Sequence, residues 1–309
     1  MQRIFGQKDF IMDWPSQVVE LIKQHFRKFG IIYHPGRDVH SCLVDFMNLD
    51  LKLVKPIPRK VYKSKTFKSR LIPPSYQHAI SYIENKINNG HDITFHQSKK
   101  TLDPSFNDLL LNDWIIQHLH VSNTKSQQNQ RFYDRSKYLL FVAFSIKQAF
   151  FIDVRLHNEP YVFARKELLE IIDNNWPQLF KDNVIEDGFF TSEHTDEQIS
   201  TLRNRGYTIG TTKVNDKIVI NPGLGITTSG HNIHVVRRAN SVLKMLHDAF
   251  YEIETDAENI KKDLSSEVGF VINQLDVEIR KLTEWPYFAF YEKTSNCYIQ
   301  KDYSRSQII

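Results

Sequence analysis

Tyr138-Leu139-Leu140-Phe141-Val142-Ala143-Phe144, then Ser145-Ile146-Lys147-Gln148, then Ala149-Phe150-Phe151-Ile152-Asp153-Val154-Arg155-Leu156 follow one another in the middle of this chain. Two runs rich in aromatic and branched apolar residues, joined by a short polar connection, read as a buried β-hairpin. The first run is the longest apolar run of the sequence and is far too short to cross a bilayer.

Working outward, Pro104 to Trp114 reads as a helix. Ile115 to Ser122 either extends it or forms a strand, and Asn123 to Asn129 is a polar loop. On the far side, Ala164 to Asn174 is amphipathic through Leu168, Leu169, Ile171 and Ile172, and Trp176-Pro177 ends it. A helix, three apolar strands and a second helix between Leu110 and Trp176 predict an α+β fold. Its expected core is a central antiparallel sheet flanked by helices, with N-terminal and C-terminal elaborations. The expected divisions are 1–103, an N-terminal α/β region with a basic segment; 104–185, the central domain; and 186–309, a C-terminal region with a hairpin, a long helix and a β-rich end.

In the first region, Asp13-Trp14-Pro15-Ser16 starts a helix carrying Val18, Val19, Leu21, Ile22, Phe26 and Phe29, which Gly30 stops. Ile31 to Tyr33 and Cys42 to Phe46 read as strands. Pro73-Pro74-Ser75 opens another helix, whose apolar face holds Tyr76, Ile80, Ile83 and Ile87 and which Asn89-Gly90 ends. In the last region, Thr195 to Asn204 reads as a helix, and Tyr207 to Thr212 with Lys217 to Asn221 as a hairpin. Val235, Ala239, Val242, Leu246, Ala249 and Ile253 then step by four and three residues along a long helix. That seam reads as internal core, with homo-oligomerisation left open. Gly269 to Ile299 alternates polar and apolar residues as strands do.

Composition narrows the function classes. Apolar residues make up 41% and aromatics 12% of the 309 residues, which argues for packed cores against global disorder. Net charge is +4, but it is unevenly placed. Lys52, Lys55, Arg59, Lys60, Lys63, Lys65, Lys68 and Arg70 fall in one segment that contains no acid. With Val54, Val61, Tyr62 and Phe67 interleaved, it reads as a phosphate-docking and base-stacking surface for nucleic acid. Pro56 and Pro58 argue that the segment is extended or lies at an edge. Cys42 and Cys297 lie far apart with no CxxC partner, which fits ordinary thiols in a reducing compartment. Met1 to Met12 carries charge and lacks an apolar core, so no signal peptide is expected, and the reading is a cytoplasmic protein without a membrane segment.

The residues that could carry chemistry cluster around the hairpin. His118 and His120 share a face if Ile115 to Ser122 is a strand. Arg131 and Arg135 lie in the loop before the hairpin, Arg155 and His157 at its end, and Tyr161 on the following loop. Histidine titrates near neutrality and can take or give a proton. Arginine stabilises the charge that builds up on a phosphorane. Tyrosine can move a proton or stack on a base. No HExxH, paired CxxC or nuclease-type acidic set accompanies them, so no metal or other cofactor is expected. Isolated strand histidines are commonly structural, and the group carries the functional reading jointly.

Before the long helix, Pro222-Gly223-Leu224-Gly225-Ile226-Thr227-Thr228-Ser229-Gly230 forms a glycine-rich turn with Arg237 and Arg238 just beyond. Gly225, Thr227, Thr228, Ser229, Arg237 and Arg238 are the residues that would hold a phosphate at a helix N-terminus. The spacing matches neither a P-loop nor a dinucleotide fingerprint, and a tight turn capped by Ser229 or Thr228 is the plainer reading.

The order of helix, strand, loop with arginine, apolar hairpin and terminal Arg155-x-His157 with Tyr161 resembles the RelE/HigB-type toxins of bacterial toxin–antitoxin systems. The stretches Asp113 to His120 and Leu168 to Pro177 also resemble uncharacterised bacterial proteins associated with toxin or anti-phage roles. The resemblance covers about a fifth of the chain and is one of pattern; this chain is several times longer and adds His118 and His120. It implies a metal-independent ribonuclease acting on RNA and held in check by an inhibitory antitoxin, protein or nucleic acid. The alternatives are a non-catalytic nucleic-acid-binding module and a protein adaptor.

Overall fold

The computed structural model describes residues 10–34, 38–127, 131–186, 193–281 and 288–299. The opening residues in which a signal peptide was not expected, and the end of the polar loop at residues 128 and 129, lie outside them. The elements run in the order β1 (Phe10–Ile11), α1 (Trp14–Lys28), α2 (Val39–Lys52), β2 (Lys60–Lys63), α3 (Lys65–Ser69), α4 (Pro74–Asn88), α5 (Leu109–Trp114), β3 (Ile116–His120), β4 (Tyr138–Phe144), β5 (Gln148–Leu156), α6 (Glu167–Asn175), β6 (Val184–Ile185), α7 (Asp196–Asn204), β7 (Thr211–Val214), β8 (Lys217–Ile220), α8 (Ile233–Thr255), α9 (Ala257–Val268), β9 (Leu275–Lys281), β10 (Phe288–Glu292) and β11 (Cys297–Ile299). The class is α+β, as read from the sequence.

The chain forms two compact units, one from 48–236 and the other from 1–47 with 237–309. In the second, β1 lies parallel to β9, and β9, β10 and β11 continue antiparallel. The Gln17 side chain of α1 bonds the β9 backbone in both senses, accepting from Ile279 N at 2.7 Å and donating to Val277 O at 3.3 Å. Glu292, buried at the end of β10, accepts from the backbone N–H groups of Asp276, Thr294 and Ser295.

The unit formed by 48–236 carries the hairpin. Its sheet has the order β2-β5-β4-β3, antiparallel except that β2 joins β5 in parallel. Both faces are covered. Leu139 and Phe141 of β4 and Phe150 and Ile152 of β5 pack with Leu168, Leu169 and Ile172 of α6, and with Val214 and Val219 of the small β6-β8-β7 sheet. Leu140 and Val142 of β4 and Phe151 of β5 pack on the other face with Ile80, Ile83 and Ile87 of α4. A sheet buried on both sides needs no polar alternation, which is why these strands read as unbroken apolar runs.

One irregularity sets up the site. Phe141 pairs with Asp153 while Val142 pairs with Phe151, so Ile152 is an extra residue in β5. Such a bulge reverses the side-chain phase beyond it. Val154 therefore joins the face of Leu140, and Arg155 pairs with Leu139 on the face of Phe141. Ser64 Oγ donates to the Ile152 carbonyl at 2.6 Å, satisfying the backbone at the irregularity.

Three local expectations are corrected. Cys42 to Phe46 lies within helix α2, and Ile31 to Tyr33 forms no strand. Every residue from Cys42 to Leu49 is buried, so no polar face marked the helical period. The helix expected over Pro104 to Trp114 is only α5, because Asp108 caps it by accepting from Leu110 N and Leu111 N. Ile115 stands in a left-handed conformation (φ 55°) and separates α5 from β3. The long helix stands as read, with Val235, Ala239, Val242, Leu246, Ala249 and Ile253 all buried.

Candidate functional site

His118 and His120 lie on β3 opposite Phe141 and Leu139, on the face that the bulge gives to Arg155. His157 follows β5 directly and is tied to the hairpin base by its N–H, which donates to Lys137 O at 2.7 Å. The three imidazoles converge. The centroids of His118 and His120 are 6.5 Å apart, and His120 and His157 stack at 6.1 Å with 12° between their planes. Phe163 lies against this group, 4.9 Å from His118 and 5.9 Å from His157.

The support of Phe163 traces back to helices α7 and α5. Arg203 of α7 donates to the Phe163 carbonyl and grips Asp113 Oδ2 through Nε at 3.1 Å and Nη2 at 3.0 Å. The same guanidinium lies 4.1 Å over the Trp114 ring. Burial raises the Asp113 carboxyl to about 6 against the pull of Arg203. Asp113 is thus a structural partner of Arg203. Among the described residues, no three His, Cys, Asp or Glu side chains are grouped as metal ligands.

The histidines differ in exposure. His157 is exposed, His118 is partly covered, and His120 is buried at 8% exposure. Burial lowers His120 to about 4, and repulsion from His118, His157 and Arg135 adds to it. His120 is therefore neutral at pH 7 and can accept a proton. Burial also lowers His118, opposed by Asp108, whose Oδ2 lies 3.7 Å from His118 Nδ1. Asp108 Oδ1 meanwhile caps α5, so the side chain that starts the helix also faces the imidazole.

The other expected catalytic residues divide. Arg135 is exposed in the loop before β4 and acts electrostatically on His120. Arg155 is buried in ion pairs with Asp153 (2.9 Å), Glu159 (3.4 Å) and Glu167 (2.7 Å), so its charge is balanced within the protein. Tyr161 is 42% exposed with φ 55°, and burial, with the carboxylate of Glu197 of α7 adding to it, raises its hydroxyl. Arg131 lies 5.3 Å from the centroid of Phe95.

The basic segment divides as well. Lys52 is buried and donates to the carbonyls of Asp103 and Phe106. Arg59 is buried and donates to Ser145 O at 2.8 Å and Lys55 O at 2.7 Å. Lys63 pairs with Glu84 at 2.6 Å, and Arg70 with Asp153. Lys55, Lys60, Lys65 and Lys68 remain exposed. The acids that balance this segment come from elsewhere in the sequence, where a local charge count does not reach them.

The glycine turn is built for packing. Gly225 N donates to Asn112 O (3.0 Å), Ile226 N to Thr208 Oγ1 (3.1 Å), Thr227 N to His231 O (2.8 Å) and Gly230 N to Thr227 O (2.9 Å). Thr227 and Ser229 share a hydroxyl bond at 2.8 Å, and Thr228 is exposed. Asn232 caps α8, accepting from His234 N and Val235 N. The cap is thus Asn232, where Ser229 or Thr228 was expected, and these N–H groups already have partners. Arg237 and Arg238 are exposed on α8, in the unit that contains 237–309.

Sequence reading missed Asp108, Phe163 and Arg203. Asp108 carries a recognisable signal as a cap before an apolar run; the other two are visible only in three dimensions. No family model matches this chain, and no curated protein or solved structure proves similar to it.

Proposed function

We propose that this protein is a metal-independent endoribonuclease of the toxin type, the effector of a bacterial toxin–antitoxin or anti-phage system, with RNA as its substrate. The observation that carries the reading is the convergence of His118, His120 and His157 around Phe163 at one end of the sheet. In this reading neutral His120 takes the proton of the ribose 2′-hydroxyl. The freed oxygen attacks phosphorus, the P–O5′ bond breaks, and His157 in its protonated form gives a proton to the leaving oxygen. The products are a 2′,3′-cyclic phosphate and a 5′-hydroxyl. Asp108 orients His118, and Arg135 supplies positive charge beside the developing phosphorane. Arg155 serves as the anchor of the strand end in place of the direct role expected from the sequence.

Work in the cytoplasm and restraint by an antitoxin, protein or nucleic acid, belong to the same proposal. Among the described residues no helix is long and apolar enough to cross a membrane. Incubating the chain with single-stranded RNA in EDTA tests the reading. Cleavage leaving cyclic phosphate ends, abolished by His120→Ala and His157→Ala, supports it. Strict Mg²⁺ dependence, or cleavage unaffected by both substitutions, overturns it. A non-catalytic nucleic-acid module is the second reading, favoured by the exposed Lys55, Lys60, Lys65 and Lys68. RNA affinity without cleavage would select it.

A further inference from the structure

On the opposite face of β3 from the imidazoles, two lysines and several rings gather in a way that neither the core nor the histidine site accounts for. Tyr82 and Lys86 stand one turn apart on α4. Phe95 and His96 follow in the loop before α5, and Lys125 and Tyr133 form a bridge within the loop between β3 and β4. Tyr133 N donates to Phe95 O at 3.0 Å, which holds that loop to the preceding one. His96 is fully buried near the His120 main chain and stacks on Tyr133 at 3.8 Å with 12° between the planes. The Tyr82 and Tyr133 hydroxyls are 3.0 Å apart.

Lys125 Nζ lies 4.2 Å from the Tyr133 centroid, and Lys86 Nζ lies 5.5 Å from the same ring and 5.6 Å from that of Tyr82. Among the described residues, no carboxylate stands within ion-pair distance of either ammonium. Burial lowers the Lys86 pKa and the charge of Lys125 adds to it, against the opposing pull of Tyr82 and the more distant Asp92, while Lys125 Nζ donates to Arg131 O at 3.1 Å. A ring face relieves part of this but neutralises no charge. Two like charges held on one ring with no carboxylate in ion-pair contact are suited to an incoming anion. The Tyr82 ring beside them is 43% exposed and offers a stacking face. Cations next to an exposed ring are the combination that holds a phosphate and its unstacked base together.

We infer that Lys86, Lys125 and Tyr82 form a binding site for a single-stranded polynucleotide, the two ammoniums taking a backbone phosphate and the Tyr82 ring a base. β3 is the edge strand, so a chain passing over that edge reaches from this platform to His120 on the other face. The platform would then hold nucleotides flanking the scissile bond. Its assignment to RNA rests on the ribonuclease reading above; the site itself does not.

The test uses the full chain and a fluorescent single-stranded 2′-O-methyl RNA 12-mer, which lacks the attacking hydroxyl. Fluorescence anisotropy is followed across a salt series. Lys86→Glu with Lys125→Glu is expected to weaken binding at least tenfold and to flatten the log Kd–log salt slope by about 0.7, for the one phosphate they share on a single strand. Tyr82→Ala is expected to weaken it about fivefold or more. Lys86→Gln with Lys125→Gln, checked for an unchanged melting curve, guards against misfolding and should show a smaller loss. Unchanged affinity in both double variants overturns the inference, as does equal affinity for a duplex. Displacement of the 12-mer by an equal concentration of inorganic phosphate overturns it too. If the wild type cleaves unmodified RNA and the lysine variants keep its KM, this inference fails while the ribonuclease reading stands. Lysine-dependent binding without cleavage gives the converse.

Discussion

Arg70 grips Asp153 with two parallel bonds, Nε to Oδ1 at 2.8 Å and Nη2 to Oδ2 at 2.7 Å, and raises the basicity of its own guanidinium by doing so. Asp153 is fully buried, and its Oδ2 also meets Arg155 Nε at 2.9 Å. Asp153→Asn removes the charge that both arginines face and leaves Arg155 buried beside an amide. Loss of one partner of a buried pair costs about 3–5 kcal/mol, readable as a shift of the urea midpoint. Arg70→Ala should cost clearly less, because 38% of that side chain is in water.

His120→Ala and His157→Ala should each reduce RNA cleavage by about 10²–10⁴-fold. For the exposed His157 the melting temperature should stay within a degree or two of wild type, which separates chemistry from folding. Cleavage assayed beside thermal melts of the same samples checks both. Retention of most activity in either variant would refute the assigned roles.

Two buried imidazoles set a pH dependence of stability. Burial lowers His96 to about 3 and His120 to about 4. Above the unfolded value near 6.5 both are neutral in either state and contribute no slope. Below it the unfolded chain gains protons that the folded chain refuses, so stability falls by about 1.4 kcal/mol per pH unit for each histidine. The loss from His120 ends near pH 4 and that from His96 near pH 3. Thermal melts from pH 8 to pH 4 should show this decline, and His120→Gln should flatten it.

Within the basic segment the structure separates two kinds of cation. Arg59→Ala leaves the Ser145 and Lys55 carbonyls without their donor and should cost about 1–3 kcal/mol in a urea titration. Combined Lys60→Glu, Lys65→Glu and Lys68→Glu should leave stability within about 0.5 kcal/mol per site and weaken RNA binding. Equal loss of stability in both sets would show that the exposed lysines are structural as well.

The glycine turn should respond as packing. A methyl group on Gly223 would collide with the Asn112 carbonyl, and one on Gly225, already at φ 77°, with the Thr208 hydroxyl. Gly223→Ala should therefore destabilise the fold by about 1–3 kcal/mol. Thr228→Ala, at an exposed position, should change neither stability nor RNA affinity. A loss of RNA affinity in Thr228→Ala at unchanged stability would restore the turn as a phosphate site.

The helix at Pro74 and the seam of α8 were legible because each repeats one period over many residues, and the hairpin Tyr138 to Leu156 because two unbroken apolar runs flank a short polar connection. Cys42 to Phe46 was misread for the opposite reason: burial on all sides erases the period. The pairing of His118 with His120 follows from a strand's alternation, and the sequence carries that much of the site unaided. The sequence also places Arg155 and His157 at the hairpin's end, since chain order suffices for that.

The composition, the apolar periodicity and the α+β class were settled by local chemistry alone. Tertiary structure decided which charges remain available. Arg70, Arg59 and Lys52 look like free cations in the sequence, yet they have partners tens of residues away that only folding brings near, and Arg155 is closed in by Asp153, Glu159 and Glu167 once the strand end and the following helix are in place. Lys86 and Lys125, unremarkable in sequence, end beside one tyrosine ring. Charge balance is a sum over neighbours in space, and a one-residue bulge at Ile152 is enough to change who those neighbours are.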